Sequence, residues 1–298
     1  MRSKLSNEMQ GILWMLLNAF WFSVMTSIVR YISIDLNVFV VVFFRNIFAV
    51  PIIALFILPY RKNLFSFNRL KIHFPRACIA ILAMTLWFYA ITIMQLPEAV
   101  SLSFITPLFT SIAAMIFLKE KVGYYRCGAL IIGFVGVLII LRPTPNNFNY
   151  AAIFVLAATL LWSVSSLLAK SLTKTEHPNV IVFFLTLFMT PMSLPLAIKN
   201  WQWPNSEQLI WLFVLGMVSN FSHMALSKAL SKTNMTVIMP FDFARLVFIL
   251  LIAYFIFHQK PDIWTLVGGT IIILCSVSLV RYENKMLKFT NSSKLNEY

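Results

Sequence analysis

Residues 11–29 of this chain read GILWMLLNAFWFSVMTSIV, a run of 19 residues without a charged side chain. A helix needs about 20 mostly apolar residues to cross the hydrocarbon core of a bilayer. The run is longer than the apolar core of a signal peptide, which spans about 7–15 residues, and it lacks a small-residue cleavage pattern. It therefore predicts a membrane-spanning helix that stays in the protein.

Nine further apolar runs follow, at residues 36–60, 77–97, 99–118, 127–141, 150–169, 178–198, 208–227, 234–257 and 263–280. Two of them contain charged residues, Arg45 in 36–60 and Asp242 and Arg245 in 234–257. Hydrophobic residues make up 60% of the 298 residues and charged residues only 11%. Soluble domains contain about 25% charged residues, so this composition excludes a soluble globular enzyme and a disordered chain. The sequence predicts an all-α polytopic membrane protein with ten transmembrane helices in the lipid bilayer.

The positive charges are unevenly distributed between the two sides of these predicted helices. Eighteen of the 24 Lys and Arg residues lie at the two termini and in four alternate connectors, 61–76, 119–126, 170–174 and 228–232. The opposite connectors hold four, and two arginines lie within spans. Because basic connectors stay cytoplasmic, this bias predicts that both termini are cytoplasmic. It also explains the net charge of +14 without a nucleic-acid partner.

The two halves of the chain resemble each other at an offset of 139–140 residues. Phe22-Ser23-Val24 corresponds to Trp162-Ser163-Val164, and Arg30 to Lys170. Each half has five predicted spans, and an odd number reverses the orientation of the second half. Connector charge agrees, because the five Lys and Arg residues of 61–76 are replaced by Lys199 alone in the counterpart connector.

This pattern predicts two inverted five-helix repeats, residues 11–142 and 150–281, between a cytoplasmic N-terminus (1–10) and a cytoplasmic tail (282–298). Inverted repeats are typical of secondary transporters, in which two similar halves exchange conformations around one site. The site is then expected near the middle of the bilayer, where the halves meet.

The sequence resembles the EamA-type members of the drug/metabolite transporter superfamily over residues 10–281. The resemblance rests on residues 97–142, with Glu120 and the glycines of the fifth span, and on residues 239–280, with Pro240-Phe241-Asp242-Phe243-Ala244-Arg245. Gln259 departs from the family pattern, which favours an acidic residue there. Within the superfamily, the chain is similar to the S-adenosylmethionine uptake transporters of intracellular bacteria. That resemblance implies an inner-membrane transporter of S-adenosylmethionine, with exchange for S-adenosylhomocysteine as a possible mode.

Charged residues inside spans are the first candidates for substrate binding, because burying a charge in a bilayer costs at least about 2.5–3.5 kcal/mol. Arg45 is interpreted as an anchor for a substrate carboxylate, and a structural pair or an interfacial position is the alternative. Asp242 and Arg245 are three residues apart and share a helix face. Asp242 is expected to bind the cationic end of the substrate or to carry a coupling proton, with Arg245 as its partner or as a carboxylate anchor. The alternative is a structural pair in which the two charges neutralise each other.

Aromatic and polar residues in the middle of spans complete the predicted site. Trp21, Trp162 and Tyr89 are expected to line the cavity, since an adenine ring or a sulfonium group favours aromatic faces. Asn18 is a polar candidate, with interhelical hydrogen bonding as its alternative role. Pro51 and Pro191 recur between the halves and are hinge candidates, because each proline removes a backbone hydrogen bond.

Several other functions lack sequence support. No phosphate-binding GxxxxGK[ST] loop and no HExxH or DDxxD cluster occurs, so we expect no enzyme activity, cofactor or metal site. Another amino acid, a purine or a cationic drug is the alternative substrate. A membrane protein that binds or regulates without transport is the alternative class. The sequence does not determine the oligomeric state.

Overall fold

The computed structural model describes residues 7–59, 67–106, 109, 124–142, 149–233, 238 and 241–295. Within these residues the regular structure is entirely helical and comprises ten helices. The first five are α1 (Asn7–Ile32), α2 (Val38–Ile57), α3 (Phe67–Ile93), α4 (Leu96–Ser103) and α5 (Tyr124–Leu141). The second five are α6 (Ala151–Leu172), α7 (Pro178–Lys199), α8 (Ser206–Lys232), α9 (Ala244–Phe255) and α10 (Ile263–Leu295).

Six of these helices, α1, α2, α3, α6, α7 and α8, are long and apolar enough to cross a membrane. Shorter apolar stretches occupy residues 131–140, 244–255 and 263–275, in α5, α9 and α10. Residues 107–108 and 110–123, which include most of the fourth predicted span and Glu120, lie outside the described part, as does Pro240. The count of ten transmembrane helices therefore stays a prediction.

Helix α3 begins ten residues before the predicted span. The sequence placed residues 61–76 in a basic connector, whereas the helix runs from Phe67 and its membrane-length stretch from Leu70. His73 and Arg76 are buried there, with 1% and 5% of their surface exposed. The cause is tertiary pairing, because both side chains find polar partners in the second half of the chain.

The helices pack in a two-fold pattern when each helix is compared with its counterpart five helices later. Helix α1 packs against α8, and its counterpart α6 packs against α3. Likewise, α2 packs against α8 and α7 against α3. The pairs α2–α7, α4–α9 and α5–α10 each join two counterparts. Exchanging the two halves therefore reproduces these helix pairs.

Two basic residues at corresponding positions satisfy the C-terminal carbonyls of corresponding helices. Arg30 Nη1 donates to the carbonyls of Ile91 and Met94 at the end of α3, the latter at 3.0 Å. Lys170 Nζ donates to two carbonyls at the end of α8, at 2.5 and 2.8 Å. Cations at a helix C-terminus stabilise its unpaired carbonyls and its dipole. These residues thus join the first and third helices within each half.

Corresponding residues also start the second helix of each half. Asn37 Oδ1 accepts a hydrogen bond from the Phe39 N–H at 3.0 Å, at the start of α2. His177 Nδ1 accepts one from the Asn179 N–H at 3.3 Å, at the start of α7. Burial, together with the nearby Lys228 ammonium, lowers the pKa of His177. The neutral imidazole that results keeps Nδ1 available as an acceptor.

Helices α5 and α10 cross at a pair of glycines. A Cβ atom on Gly268 would lie 2.6 Å from the Gly136 carbonyl oxygen and 2.6 Å from Ile140 Cγ1. Such a contact with backbone cannot be relieved by a rotamer change. Small residues at helix crossings in membranes allow this close approach.

We expect Gly268→Ala to destabilise the protein by about 1–3 kcal/mol, because the added methyl overpacks the crossing. Thermal unfolding of the detergent-solubilised protein measures the effect. Gly128→Ala in α5 is the matched control, because no neighbouring atom of the described residues lies within 4 Å of a Cβ built there. Equal unfolding temperatures for the two variants would contradict the close crossing.

Candidate functional site

A central cavity lies between the two halves, at mid-height of α1 and α6. It encloses about 920 Å³ of empty space, including its open mouth. Its walls include one face of α1 between Met15 and Met25 and one face of α6 between Ala158 and Ser166, together with residues of α2, α3, α4, α7, α8 and α9. Its position between the helices of the two halves is one at which small-molecule sites commonly occur.

Five of the predicted site residues line this cavity: Asn18, Arg45, Trp162, Asp242 and Arg245. They come from α1, α2, α6 and the start of α9, so the tertiary fold brings both halves to one space. Substrate binding by these residues stays a prediction.

Trp21 and Tyr89 are not among the residues that line the cavity. The Trp21 ring packs against Phe20 and Phe221, with centroid distances of 5.1 and 5.5 Å. Tyr89 is 37% exposed and stacks on Phe39. Successive residues of a helix are rotated by about 100°, so neighbours of these two residues face the cavity in their place.

Phe22 of α1, and Trp87 and Phe88 of α3, are the aromatic residues that line the cavity there. The ring centroids of Phe22 and Trp87 are 5.7 Å apart, at an angle of 47°. Phe22 corresponds to Trp162 in the repeat, so corresponding positions of α1 and α6 both present an aromatic ring to the cavity. The repeat offset contained this signal, because Trp162 corresponds to Phe22 and lies one position away from the counterpart of Trp21.

Arg45 is a buried cation without a carboxylate partner in the described part of the chain. It is 1% exposed. Its Nη1 donates to Asn46 Oδ1 at 2.5 Å, and its Nε has no hydrogen-bond partner among the described residues. Gly216 of α8 holds the α2 backbone close at this point, since a Cβ there would lie 3.1 Å from the Arg45 carbonyl oxygen. The guanidinium is therefore positioned and left available for an anion.

Asp242 and Arg245 form a salt bridge with an N–O distance of 2.8 Å. The Arg245 guanidinium also lies over the Phe22 ring, 4.9 Å from its centroid, and 5.2 Å from that of Phe104. Cation–π contact of this kind stabilises a buried guanidinium. Asp242 and Arg245 thus neutralise each other, which leaves the charge of Arg45 uncompensated among the charged residues that line the cavity.

Polar contacts between helices occupy the remaining wall. Ser222 Oγ donates to Asn18 Oδ1 at 3.0 Å, which joins α8 to α1. The Trp162 and His223 rings lie 5.6 Å apart at 37°. Four methionine side chains also line the cavity: Met15, Met25, Met84 and Met189. Flexible thioethers adapt their packing to ligands of different shape.

The hinge candidates Pro51 and Pro191 lie inside α2 and α7. Both residues are exposed on the outer surface of the helix bundle. Gln259, which departs from the family pattern, accepts a hydrogen bond from the Leu96 N–H at 3.2 Å. It therefore satisfies a backbone donor at the start of α4. A hinge role for the prolines stays a prediction.

A second buried polar cluster was missed from the sequence. His73 Nε2 lies 2.8 Å from Glu176 Oε2, and their side chains are 1% and 2% exposed. Arg76 Nη1 donates to the Ile181 carbonyl at 3.1 Å. The cluster joins α3 of the first half to the α6–α7 connector and α7 of the second. The signal for this cluster in the sequence was Glu176. It is one of only 10 acidic residues in the chain, and it follows a basic connector.

We expect Glu176→Ala to lower the free energy of unfolding by about 1–3 kcal/mol, because it leaves the buried His73 donor unpaired. Thermal unfolding in detergent measures this loss. Glu207→Ala is the matched control, since Glu207 is exposed and its contact with the Tyr31 hydroxyl is long, at 3.4 Å. Equal losses in both variants would argue against a structural role for the His73–Glu176 contact.

Comparison with known proteins identifies the family. The EamA-like transporter family matches twice, over residues 9–142 and 149–282. The chain is 30% identical over 294 residues to the S-adenosylmethionine uptake transporter of Rickettsia prowazekii (strain Madrid E), covering 99% of this chain and 100% of the relative. It is 31% identical over 287 residues to the riboflavin transporter of Vibrio cholerae serotype O1, covering 94% of this chain and 95% of the relative.

A solved crystal structure shares the fold. It matches with a TM-score of 0.67 at 12% identity and covers 93% of this chain and 98% of that chain. The resemblance noted from the sequence is confirmed, and the relatives are named as transporters rather than as enzymes. This multi-pass helical chain therefore belongs to the EamA-like transporter family.

Proposed function

We propose that this protein is a secondary transporter of the bacterial inner membrane that takes up S-adenosylmethionine by alternating access. The observation that carries the proposal is the buried, uncompensated Arg45 in a cavity walled by both halves. Full-length similarity to S-adenosylmethionine uptake transporters of Rickettsia supports the substrate. S-adenosylmethionine offers a carboxylate for Arg45, and a guanidinium binds a carboxylate through two parallel hydrogen bonds.

The charge of the cavity favours a substrate with an anionic group over a purely cationic drug. Arg45 and Arg245 are opposed by Asp242 alone among the charged residues of the lining. A cation without a carboxylate would meet net repulsion there. The sulfonium and adenine of S-adenosylmethionine would instead lie against the aromatic and methionine surfaces, or compete with Arg245 for Asp242.

Riboflavin is the second candidate, because the riboflavin transporter of Vibrio cholerae is as similar to this chain as the S-adenosylmethionine transporters are. Riboflavin has a flat heterocycle with carbonyl and nitrogen acceptors but no carboxylate. The two candidates therefore share a ring and differ in the group that Arg45 would bind. Measuring which of the two compounds the protein takes up, and whether the other compound competes for that uptake, distinguishes these substrates.

We further propose that the ten helices form two inverted repeats and that both termini are cytoplasmic. The two-fold packing pattern supports the repeats, as do the corresponding contacts of Arg30 and Lys170. The charge bias between alternate connectors supports the orientation. Alternating access would exchange the conformations of the two halves around the cavity.

Uptake of labelled S-adenosylmethionine into cells that express the protein tests this function. We expect saturable uptake that unlabelled S-adenosylmethionine competes. Stimulation by preloaded S-adenosylhomocysteine would indicate exchange, and loss with an uncoupler would indicate proton coupling. Saturable uptake of labelled riboflavin without uptake of S-adenosylmethionine would reassign the substrate. No accumulation of either compound in proteoliposomes would favour a binding protein without transport.

A further inference from the structure

Trp87 is a buried indole in the cavity wall whose N–H group has no partner in the described part of the chain. The residue is 7% exposed and lines the cavity. Its Nε1 atom makes no hydrogen bond to any described residue. Buried tryptophan N–H groups usually find an acceptor, because an unpaired buried donor destabilises the protein. No described protein group supplies the acceptor, so a ligand in the cavity is the candidate source.

Two other donors in the described cavity wall also lack a hydrogen-bond partner among the described residues. They are Arg45 Nε and Arg245 Nε. All three unpaired atoms are donors, so the cavity selects a ligand that carries several acceptors. A carboxylate supplies two of them. The nitrogen atoms and carbonyl groups of a flat heterocycle supply the rest.

The surroundings of Trp87 suit the heterocycle rather than the carboxylate. Its ring lies beside Phe22, and the Arg245 guanidinium lies over that same Phe22 ring. This end of the cavity is therefore aromatic, and its cation is already paired with Asp242. Aromatic surfaces favour stacking of a flat ring, whereas an unpaired cation such as Arg45 favours a carboxylate.

We infer that Trp87 is a substrate-binding residue whose indole N–H donates to one ring acceptor of the substrate, beside the Phe22 ring. This inference rests on the proposed function, because it assigns the ring of that substrate to one end of the same cavity. Trp87 then contributes to ring recognition, and Arg45 recognises the carboxylate. The two contributions are separable by probes that carry only one of the two groups.

Binding to the purified protein in detergent tests the inference without transport. Adenosine carries the ring without the amino acid, and methionine carries the carboxylate without the ring. Trp87→Phe keeps an aromatic ring and removes the donor. We expect it to weaken adenosine binding about tenfold, as for other lost buried hydrogen bonds, and to leave methionine binding unchanged. Trp14→Phe is the matched control, since Trp14 packs on Lys228 outside the cavity lining.

Ring analogues identify the acceptor. The 1-deaza, 3-deaza and 7-deaza forms of adenosine each replace one ring nitrogen by carbon. We expect one of them to bind the wild-type protein about tenfold more weakly than adenosine, and to bind Trp87→Phe as well as adenosine does. The inference is overturned by unchanged adenosine affinity in Trp87→Phe, which would indicate that only water occupies the site. Two other results would overturn the inference. One is that Trp87→Phe weakens the binding of adenosine and of methionine equally, and the other is that it weakens every deaza analogue as much as it weakens adenosine.

The outcomes separate this inference from the proposed substrate. Uptake of S-adenosylmethionine with normal adenosine binding in Trp87→Phe would leave the function intact and remove the role of Trp87. If the wild-type protein binds riboflavin but not adenosine, a tenfold loss of riboflavin affinity in Trp87→Phe keeps the role of Trp87 and changes the substrate. Wild-type protein that binds neither ring compound would overturn the inference even if uptake is observed.

Discussion

Arg45→Ala is expected to lower uptake of labelled S-adenosylmethionine at least tenfold while the protein still reaches the membrane. The variant removes the cation proposed to bind the substrate carboxylate, and truncating one partner of a buried charged contact typically costs about 2–5 kcal/mol. Arg45→Lys keeps the charge but loses the two-point geometry of the guanidinium, so we expect intermediate uptake. Initial uptake rates, normalised to the amount of protein in the membrane, measure both effects.

The stability of the same variant separates a binding role from a structural one. Arg45 is 1% exposed and has no carboxylate partner among the described residues, so its burial destabilises the folded protein. Arg45→Ala should therefore unfold at the same temperature as the wild-type protein or higher, while uptake falls. A lower unfolding temperature would indicate a structural role. Arg142→Ala is the matched control. The Arg142 side chain is 53% exposed and pairs with Asp262, and an exposed ion pair contributes at most about 1 kcal/mol, so uptake should be unchanged and stability nearly so.

Removing one partner of the Asp242–Arg245 pair should destabilise the protein by about 3–5 kcal/mol, because the other charge stays buried without compensation. We expect this loss for Asp242→Asn and for Arg245→Gln. The double variant should regain most of the stability, because both charges are then absent. Unfolding temperatures of the four proteins in detergent form a double-mutant cycle and give the coupling between the two residues.

Uptake by the double variant decides between the two interpretations of this pair. If the pair contacts the substrate, the double variant will be stable but transport at less than a tenth of the wild-type rate. This is the result that we expect, because Asp242 and Arg245 both line the cavity. Wild-type uptake by a stable double variant would show that the residues serve only to neutralise each other.

The sequence predicted the helices well where hydropathy is a local property. The predicted spans 11–29, 178–198 and 208–227 lie within α1, α7 and α8. The prediction was wrong at the start of α3, where ten residues of a presumed connector are helical. Local charge was misleading there, because the partners of His73 and Arg76 lie more than 100 residues away.

The candidate site was predictable where spacing along one helix decides a contact. Asp242 and Arg245 are three residues apart and pair as the spacing allows. Trp21 and Trp87 show the limit of such reasoning. Both are tryptophans in the middle of apolar helices, yet only Trp87 lines the cavity. Neighbouring side chains of a helix point in directions about 100° apart, so Phe22 faces the cavity and Trp21 does not. Mean hydropathy carries no information about the direction in which a side chain points.

The sequence by itself determined that this chain is a helical membrane protein with a repeated organisation. A helix in a bilayer satisfies its backbone hydrogen bonds within its own segment, so length, hydropathy and charge along the chain suffice to predict it. Only the tertiary structure decided which side chains share the cavity, which charges are paired, and which donors are left unpaired. Those properties depend on helix rotation and on contacts between residues far apart in the chain, such as the 103 residues that separate His73 from Glu176.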